Sequence, residues 1–198
     1  METETLVELP SRLEPLRHVR STLIQSSLLS LKQRQYFEPY LALLEPAHRA
    51  HILETLAPEW MPSEVAMAHY AACEALQLSP AELHAIGEEV GERIQGSFIS
   101  LLLHNARSEG LSPWVPLGQF RRLYERLLQG GGVRILRHGP REAVVDVRRL
   151  ALSRFDYFRA GFCGVIACAI KLGGVRSPSV RVENATGHEL RCVFKCTW

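Results

Sequence analysis

Hydrophobic residues in the first two thirds of the chain recur every three or four positions, a spacing typical of helices that bury one face. This pattern predicts helices over approximately 13–31, 33–44, 46–56, 63–76, 80–107 and 117–128. The helix at 80 has the strongest start signal, because Ser79 and Glu82 form a capping box around Pro80. Residues 1–10 carry no such pattern, so a flexible N-terminus is expected there.

After the glycines at 130–132 the hydrophobic period changes to two, which is typical of strands. This alternation predicts two pairs of strands, at 133–137 with 143–148 and at 179–183 with 190–198. In the second strand Asp146 and Arg148 point away from the apolar face. In the last strand five residues share one face: Leu190, Cys192, Phe194, Cys196 and Trp198. Each hairpin therefore has one apolar face that needs a cover.

The most apolar stretch of the chain, residues 155–172, lies between the two hairpins and is predicted to be the helix that covers both. Ser153 is its expected N-cap, and Gly173 is expected to end it. A stripe of small residues, four apart, lies on one face of this helix: Ala160, Gly164 and Cys168. Such a stripe lets another backbone approach closely, which is the favoured explanation, or it leaves room for a ligand.

The order of elements predicts an α+β fold in which an N-terminal helical bundle packs on a four-stranded antiparallel sheet of order ββαββ. With 198 residues the chain is long enough for one sizeable domain. We expect this domain to span 11–198, with its helical part at 11–129 and its ββαββ part at 130–198.

Charge and composition narrow the range of partners. The net charge of +2 is too small to favour a nucleic-acid or membrane surface. A membrane-spanning helix needs about 20 apolar residues, and Asp156, Arg159 and Lys171 interrupt the most apolar stretch. The first residues do not resemble a signal peptide. A cytoplasmic location with reduced cysteines is therefore expected.

The sequence contains no recognisable catalytic or metal-binding motif, so a non-enzymatic protein without cofactor or metal is expected. Cys192 and Cys196 are four apart on a strand, which separates their Cα atoms by about 13 Å. This distance excludes a disulfide between them. Cys163 and Cys168 point in different directions from the central helix, so the cysteines are expected to act as small buried hydrophobes. His104 follows an apolar run and could face a pocket.

Three segments of the chain carry a resemblance to known proteins: YFRAGF at 157–162, VRVE at 180–183 and CVFKCTW at 192–198. They are similar to segments in a superfamily of small-molecule and partner-binding domains. This superfamily includes the heme-NO-binding domains, the four-vinyl-reductase domains and the TRAPP vesicle-tethering subunits. EWMP at 59–62 and GGG at 130–132 resemble a paralogous family of this kind that is expanded in myxobacteria. The resemblance implies an α+β fold and a role in binding.

The chain departs from both ligand motifs of this superfamily. Heme-binding members hold the propionates with a Tyr-x-Ser-x-Arg motif, which is missing here, although Arg134 and Arg137 lie in a comparable region. His104 would be the proximal ligand by resemblance, but the missing motif argues against heme. Four-vinyl-reductase domains can carry a zinc site of one Glu and three Cys. Glu183 and Cys192 match only two of these positions, so no metal is carried over.

Two functions are compatible with these observations. The first is a non-enzymatic sensory or regulatory domain that holds an apolar small molecule between the central helix and either the sheet or the long helix. Its candidate pocket residues are Trp114, Phe158, Phe162, Gly164, Val165, Cys168, Cys192 and Phe194. The alternative is a protein-interaction domain without a ligand, acting as a homodimer or within a complex.

Overall fold

The computed structural model describes residues 3–103, 112–186 and 190–198. In the described ranges the helices are α1 Ser21–Gln33, α2 Phe37–Leu43, α3 Pro46–Glu54, α4 Ser63–Ala75, α5 Pro80–Leu103, α6 Trp114–Gly118, α7 Phe120–Leu127 and α8 Asp156–Leu172. The strands are β1 Glu4–Val7, β2 His18–Arg20, β3 Trp60–Pro62, β4 Leu128–Gln129, β5 Gly132–Gly139, β6 Glu142–Arg148, β7 Ser179–Thr186 and β8 Arg191–Thr197. The predicted α+β fold with an antiparallel sheet is confirmed. None of the described helices is long and apolar enough to cross a membrane.

The main sheet has five strands in the order β1-β5-β6-β8-β7. The predicted hairpins β5–β6 and β7–β8 join through β6 and β8, where Val145 lies opposite Phe194. The expected four strands are therefore present, but the expectation of a flexible N-terminus is wrong for residues 4–7. These residues form the edge strand β1, with Thr5 opposite Leu136 and Val7 opposite Ile135. Thr5 and Val7 are β-branched residues that favour a strand, but they lie among acidic residues and the run is short.

A second sheet has three strands in the order β3-β2-β4. Because of this sheet, the predicted start of the first helix is wrong. That helix begins at Ser21 and not near residue 13, because His18–Arg20 pairs with β3 on one side and β4 on the other. The predicted helix at 117–128 corresponds to α7, and a separate short helix, α6, begins before it at Trp114. The capping box of α5 is confirmed: Ser79 N donates to Glu82 Oε2 at 2.8 Å, and Glu82 N donates to Ser79 Oγ at 3.3 Å.

The central helix α8 lies between α5 and the inner face of the sheet. On the α5 side, a methyl group added at Gly87 would collide with the Ala160 carbonyl, and one at Gly91 would collide with the Gly164 carbonyl. On the sheet side, the ring of Phe162 lies 5.4 Å from that of Phe194. The small-residue stripe therefore serves close helix packing, the explanation that the sequence favoured.

The N-terminus of α8 is capped by a residue from another helix. Ser153, the expected N-cap, lies in a 3-10 turn at Ala151–Arg154 and donates its hydroxyl to the Leu150 carbonyl at 2.7 Å. The carboxylate of Glu74, at the end of α4, accepts the backbone N–H groups of Asp156 at 3.2 Å and Tyr157 at 3.0 Å. A carboxylate at this position also interacts favourably with the helix dipole. The N-cap prediction is thus wrong, because a tertiary contact replaced the local one.

Candidate functional site

The eight residues predicted to line a pocket lie in different parts of the core. Phe158, Phe162 and Val165 border a small internal cavity. Gly164 packs against the backbone of α5, and Cys168 on α8 and Cys192 and Phe194 on β8 are buried. Trp114 does not line this cavity, and its ring centroid is 4.8 Å from that of Trp198.

The internal cavity lies between α1, α4, α5 and α8 and has a volume of about 20 Å³. Its lining is aliphatic and aromatic, and only Ser27, Tyr70 and Tyr157 carry hydroxyl groups. The residues that line it are Leu23, Ser27, Tyr70, Ile86, Val90, Tyr157, Phe158, Gly161, Phe162 and Val165. A volume of about 10–15 Å³ on this measure is enough for one water molecule. The cavity is therefore a solvent-sized space and not a pocket for an organic ligand.

A chain of buried hydrogen bonds runs beside this cavity. Tyr40 Oη lies 2.8 Å from His69 Nδ1, His69 Nε2 lies 3.0 Å from Ser27 Oγ, and Ser27 Oγ lies 2.8 Å from Tyr157 Oη. Burial lowers the pKa of His69 to about 3, so the ring is neutral at physiological pH. With Nδ1 accepting from Tyr40 and Nε2 donating to Ser27, every member of the chain finds a partner.

The sequence analysis did not identify this network, because its members come from four helices. One local signal was present: His69 and Cys73 are four apart on α4, and the Cys73 sulfur lies 3.6 Å from His69 Nε2. Burial raises the pKa of Cys73 well above its usual range. The thiol is therefore protonated, and neither it nor the fully bonded imidazole is set up as a nucleophile or base.

A larger groove of about 550 Å³ opens between the start of α5, the start of α8 and the edge strand β7. It is lined by Pro80, Leu83, His84, Asp156, Arg159, Ala160, Cys163, Val180, Arg181, Val182 and Ala185. Organic ligands commonly occupy pockets of about 300–1,000 Å³ with mostly apolar walls. By volume and lining, this groove is the candidate ligand site among the described residues.

The strand register explains why this groove is apolar. Val180 is paired with Cys196, Val182 with Phe194 and Ala185 with Cys192, so these three side chains share the inner face of the sheet. Helix α8 contacts β7 but does not cover it completely, and Val182 is 38% exposed. A β-bulge between Val182 and Asn184 inserts one extra residue. Because of it, the side chains of Val182 before the bulge and Ala185 after it both lie on the inner face.

The polar lining of the groove consists of Asp156 and Arg159 at the start of α8, His84 on α5 and Arg181 on β7. Arg159 forms an ion pair with Asp156 and donates to the Ser153 carbonyl at 2.6 Å, which fixes its orientation. Cys163 lies one turn further along the helix. Burial, and to a lesser extent the neighbouring Cys192, raise the pKa of Cys163 to about 12. Its thiol is therefore protonated at neutral pH and contributes a small apolar surface.

The cysteines and the two arginines of the sequence analysis do not form a second chemical site among the described residues. All five cysteines are free thiols. Within the described ranges no three His, Cys, Asp or Glu side chains are grouped so that they could hold a metal. Arg134 donates to Asp146 at 2.8 Å, and the guanidinium of Arg137 stacks 4.6 Å from the Trp114 ring centroid. His104 lies outside the described residues.

Comparison with solved structures identifies the fold as that of the H-NOX domains. The Fe(II) unliganded H-NOX protein from K. algicida has a TM-score of 0.61 and 10% sequence identity over 90% of this chain and 95% of that chain. A mutant H-NOX from T. tengcongensis has a TM-score of 0.52 and 12% identity, covering 90% of this chain and 96% of that one. An oxygen-binding H-NOX domain related to soluble guanylate cyclases has a TM-score of 0.51 and 12% sequence identity, covering 89% of this chain and 92% of that chain.

No protein-family model and no curated protein matches the sequence. At these identities the structural similarity establishes the fold alone. It confirms the heme-NO-binding part of the resemblance at that level, whereas the similarity to four-vinyl-reductase domains, TRAPP subunits and the myxobacterial family stays a prediction.

The fold family implies heme, but the described interior does not fit it. The cavity of about 20 Å³ beside α5 and α8 is far too small for a porphyrin, and backbone contact at Gly87 and Gly164 holds these two helices together. His69 is the fully buried imidazole of the described core, and both of its nitrogens are hydrogen-bonded to neighbouring side chains. Arg134 and Arg137 are occupied by Asp146 and Trp114.

Proposed function

We propose that the protein is a non-enzymatic sensory or regulatory domain that binds an apolar small molecule in the groove between α5, α8 and β7. The observation that carries the proposal is the uncovered apolar edge of the inner sheet face, where Val180, Val182 and Ala185 border a space of about 550 Å³. The sequence analysis also expected a pocket beside the central helix, but none of its eight candidate residues lines this groove.

The arrangement of the groove favours binding over catalysis. Its wall is mostly apolar, its thiol is protonated, and Arg159 is held by Asp156 and a backbone carbonyl. The groove touches both α5 and α8, which form the tightest contact of the fold, so a bound ligand would stabilise one relative position of these helices. H-NOX domains that share the fold include an oxygen-binding member, which supports a sensory role.

A fluorescent apolar probe, 1-N-phenylnaphthylamine, tests this function directly. We expect saturable binding that Ala185→Trp weakens by about 10-fold or more, because the indole fills the groove from an exposed position. Ala50→Trp places the same side chain on the exposed surface of α3 and serves as the control. Binding that is equal in the two variants, or absent in the wild type, would contradict the proposal.

A second measurement addresses heme and natural ligands. After expression with added heme, we expect no Soret band to co-purify, and native mass spectrometry of the gently purified protein should show an added small-molecule mass that Ala185→Trp removes. A stoichiometric Soret band would overturn the apolar-ligand assignment in favour of a heme sensor.

A protein-interaction function is the second candidate. Three large apolar side chains remain exposed on and after α2 and α3: Leu43 at 48%, Leu53 at 38% and Leu56 at 74%. Such residues favour association with a second copy. Light scattering after size-exclusion chromatography should then show a homodimer that Leu56→Glu converts to a monomer. A monomer at high concentration in the wild type removes this candidate.

A further inference from the structure

Strand β7 is an edge of the main sheet, and one of its sides is unpaired. In the order β1-β5-β6-β8-β7 it pairs with β8, and no other described strand lies against its second side. It is eight residues long, whereas β1 at the opposite edge has four. Its residues from Arg181 to Ala185 are exposed. A long exposed edge strand presents backbone donors and acceptors with which a further strand can pair.

At the middle of this edge an apolar side chain lies between two opposite charges. Val182 is 38% exposed, and Arg181 and Glu183 flank it in the sequence. Among the described residues neither charged side chain has an ion-pair partner within 4 Å. Glu142, the carboxylate that Arg181 attracts at longer range, is already paired with Lys195 at 2.9 Å.

The bulge in β7 leaves Glu183 without a counterpart on β8. Val182 is paired with Phe194 and Asn184 with Val193, so Glu183 is the extra residue between them. The bulge also limits the regular length of the edge, which favours one short pairing over an extended stack of sheets.

The order Arg-Val-Glu is complementary to itself when the strand direction is reversed. If two copies of β7 pair antiparallel about Val182, then Arg181 of each copy lies opposite Glu183 of the second copy. The two Val182 side chains lie opposite each other on the inner face. Directly opposite residues of antiparallel strands have Cβ atoms about 4.5–5.5 Å apart, close enough for ion pairs and for contact between β-branched side chains. One pairing therefore satisfies both charges of both copies.

From these features we propose that two copies of this chain associate through antiparallel pairing of their β7 strands about Val182. The contact is a two-fold one and uses the β7 edge of both copies, so the assembly closes at a dimer. The two sheets continue into one another with their inner faces on the same side. A short edge contact lies at the low end of interface sizes, so we expect a dissociation constant of about 10 µM.

The pairing has a consequence for the ligand groove, and this consequence rests on the proposed function. The groove borders Val180, Val182 and Ala185 on the inner face of β7. In the dimer the β7 strand of the second copy lies along the open edge of the groove and supplies a further wall.

The test is the mass in solution by light scattering after size-exclusion chromatography, at about 200 µM so that the expected dimer is populated. We expect a dimer for the wild type. Arg181→Glu and Glu183→Arg each place like charges opposite one another, and each should weaken association by about 10-fold or more. Arg122→Glu makes the same charge change at an exposed position of α7 and should alter association by less than about 2-fold.

An equimolar mixture of the two single variants is the decisive measurement. In the mixed pair Arg181→Glu faces the native arginine and the introduced arginine of Glu183→Arg, so both ion pairs form again with reversed polarity. The mixture should associate within about 3-fold of the wild type, which also shows that both variants are folded.

Three results would overturn the proposal: a monomeric wild type at this concentration, a mixture that stays monomeric, or a dimer that Leu56→Glu dissociates and Arg181→Glu does not. The last result would place the contact on the apolar surface of the second candidate function. A wild-type dimer with the expected charge pattern that binds no 1-N-phenylnaphthylamine would refute the ligand groove and support the pairing.

Discussion

Gly87 of α5 and Gly164 of α8 contact each other through their backbones. A Cβ built on Gly164 would collide with the Gly87 carbonyl, and one built on Gly87 would collide with the Ala160 carbonyl. The two longest helices of the fold are thus packed at a distance that only small residues allow. This contact closes the interior between them, and the candidate groove lies at the starts of both helices.

The first prediction concerns this contact. Gly164→Ala should lower the free energy of unfolding by about 2–3 kcal/mol, because the methyl group meets backbone atoms that cannot move independently. Gly161→Ala is the matched control, since its Cβ would enter open space on the same helix, and it should stabilise by about 0.5–1 kcal/mol through helix propensity. Urea unfolding followed by circular dichroism gives both values. Similar effects of the two variants would mean that the helices are not in contact.

The second prediction concerns the cap of α8. Glu74→Ala should destabilise the protein by about 1–2 kcal/mol, because two backbone N–H groups of Asp156 and Tyr157 lose their acceptor. Glu92→Ala makes the same change at an exposed position of α5 and should be close to neutral. Hydrogen exchange should show faster exchange of the Asp156 and Tyr157 amides in Glu74→Ala alone. Unchanged protection there would contradict the capping role.

These two contacts also show how far the sequence could predict the fold. Gly87 and Gly91 of α5 are four apart, as are the small residues of α8, so the close packing of the two helices was predictable from spacing alone. Glu74 is 82 residues from Asp156, and no local pattern relates the two. Ser153 was a reasonable cap by residue type, but a long-range carboxylate took its place.

The groove was only partly predictable, for a similar reason. Its general location beside the central helix follows from the ββαββ order. Its lining depends on the register of β7 against β8 and on the bulge between Val182 and Asn184, and neither is encoded in a short pattern. Phe158 and Phe162 were assigned to a pocket because they are aromatic and apolar, whereas in the structure such residues fill the core.

The third prediction uses the buried imidazole. The pKa of His69 is lowered to about 3 in the folded state from about 6.5 in the unfolded state. Between these values the unfolded chain binds more protons, so stability is full above pH 6.5 and falls as the pH decreases. From pH 7 to 5 this residue should account for a loss of about 2 kcal/mol.

Comparison of two histidine variants isolates this contribution. His69→Asn should lower stability at pH 7 and remove about 2 kcal/mol of the decrease between pH 7 and 5. His84→Gln, at an exposed position of α5, should leave the pH profile of the wild type unchanged. A profile of His69→Asn that runs parallel to the wild type would show that His69 titrates normally in the folded protein.

The fourth prediction separates the hydrogen-bond chain from its aromatic packing. Tyr157→Phe keeps the ring beside Tyr70 but removes the hydroxyl that lies 2.8 Å from Ser27 Oγ. Because Ser27 is buried and then lacks one partner, we expect a loss of about 1–2 kcal/mol in the free energy of unfolding. Tyr70→Phe in the same cluster should cost less than about 0.5 kcal/mol, since aromatic contacts with Phe155 and Phe158 are its main interactions.

Chemical denaturation of both single variants, and of the double variant that combines Ser27→Ala with Tyr157→Phe, measures these free energies of unfolding. A double variant that is no less stable than Tyr157→Phe would confirm that the cost comes from the unpaired serine, whereas additive losses would show that the two hydroxyls act independently.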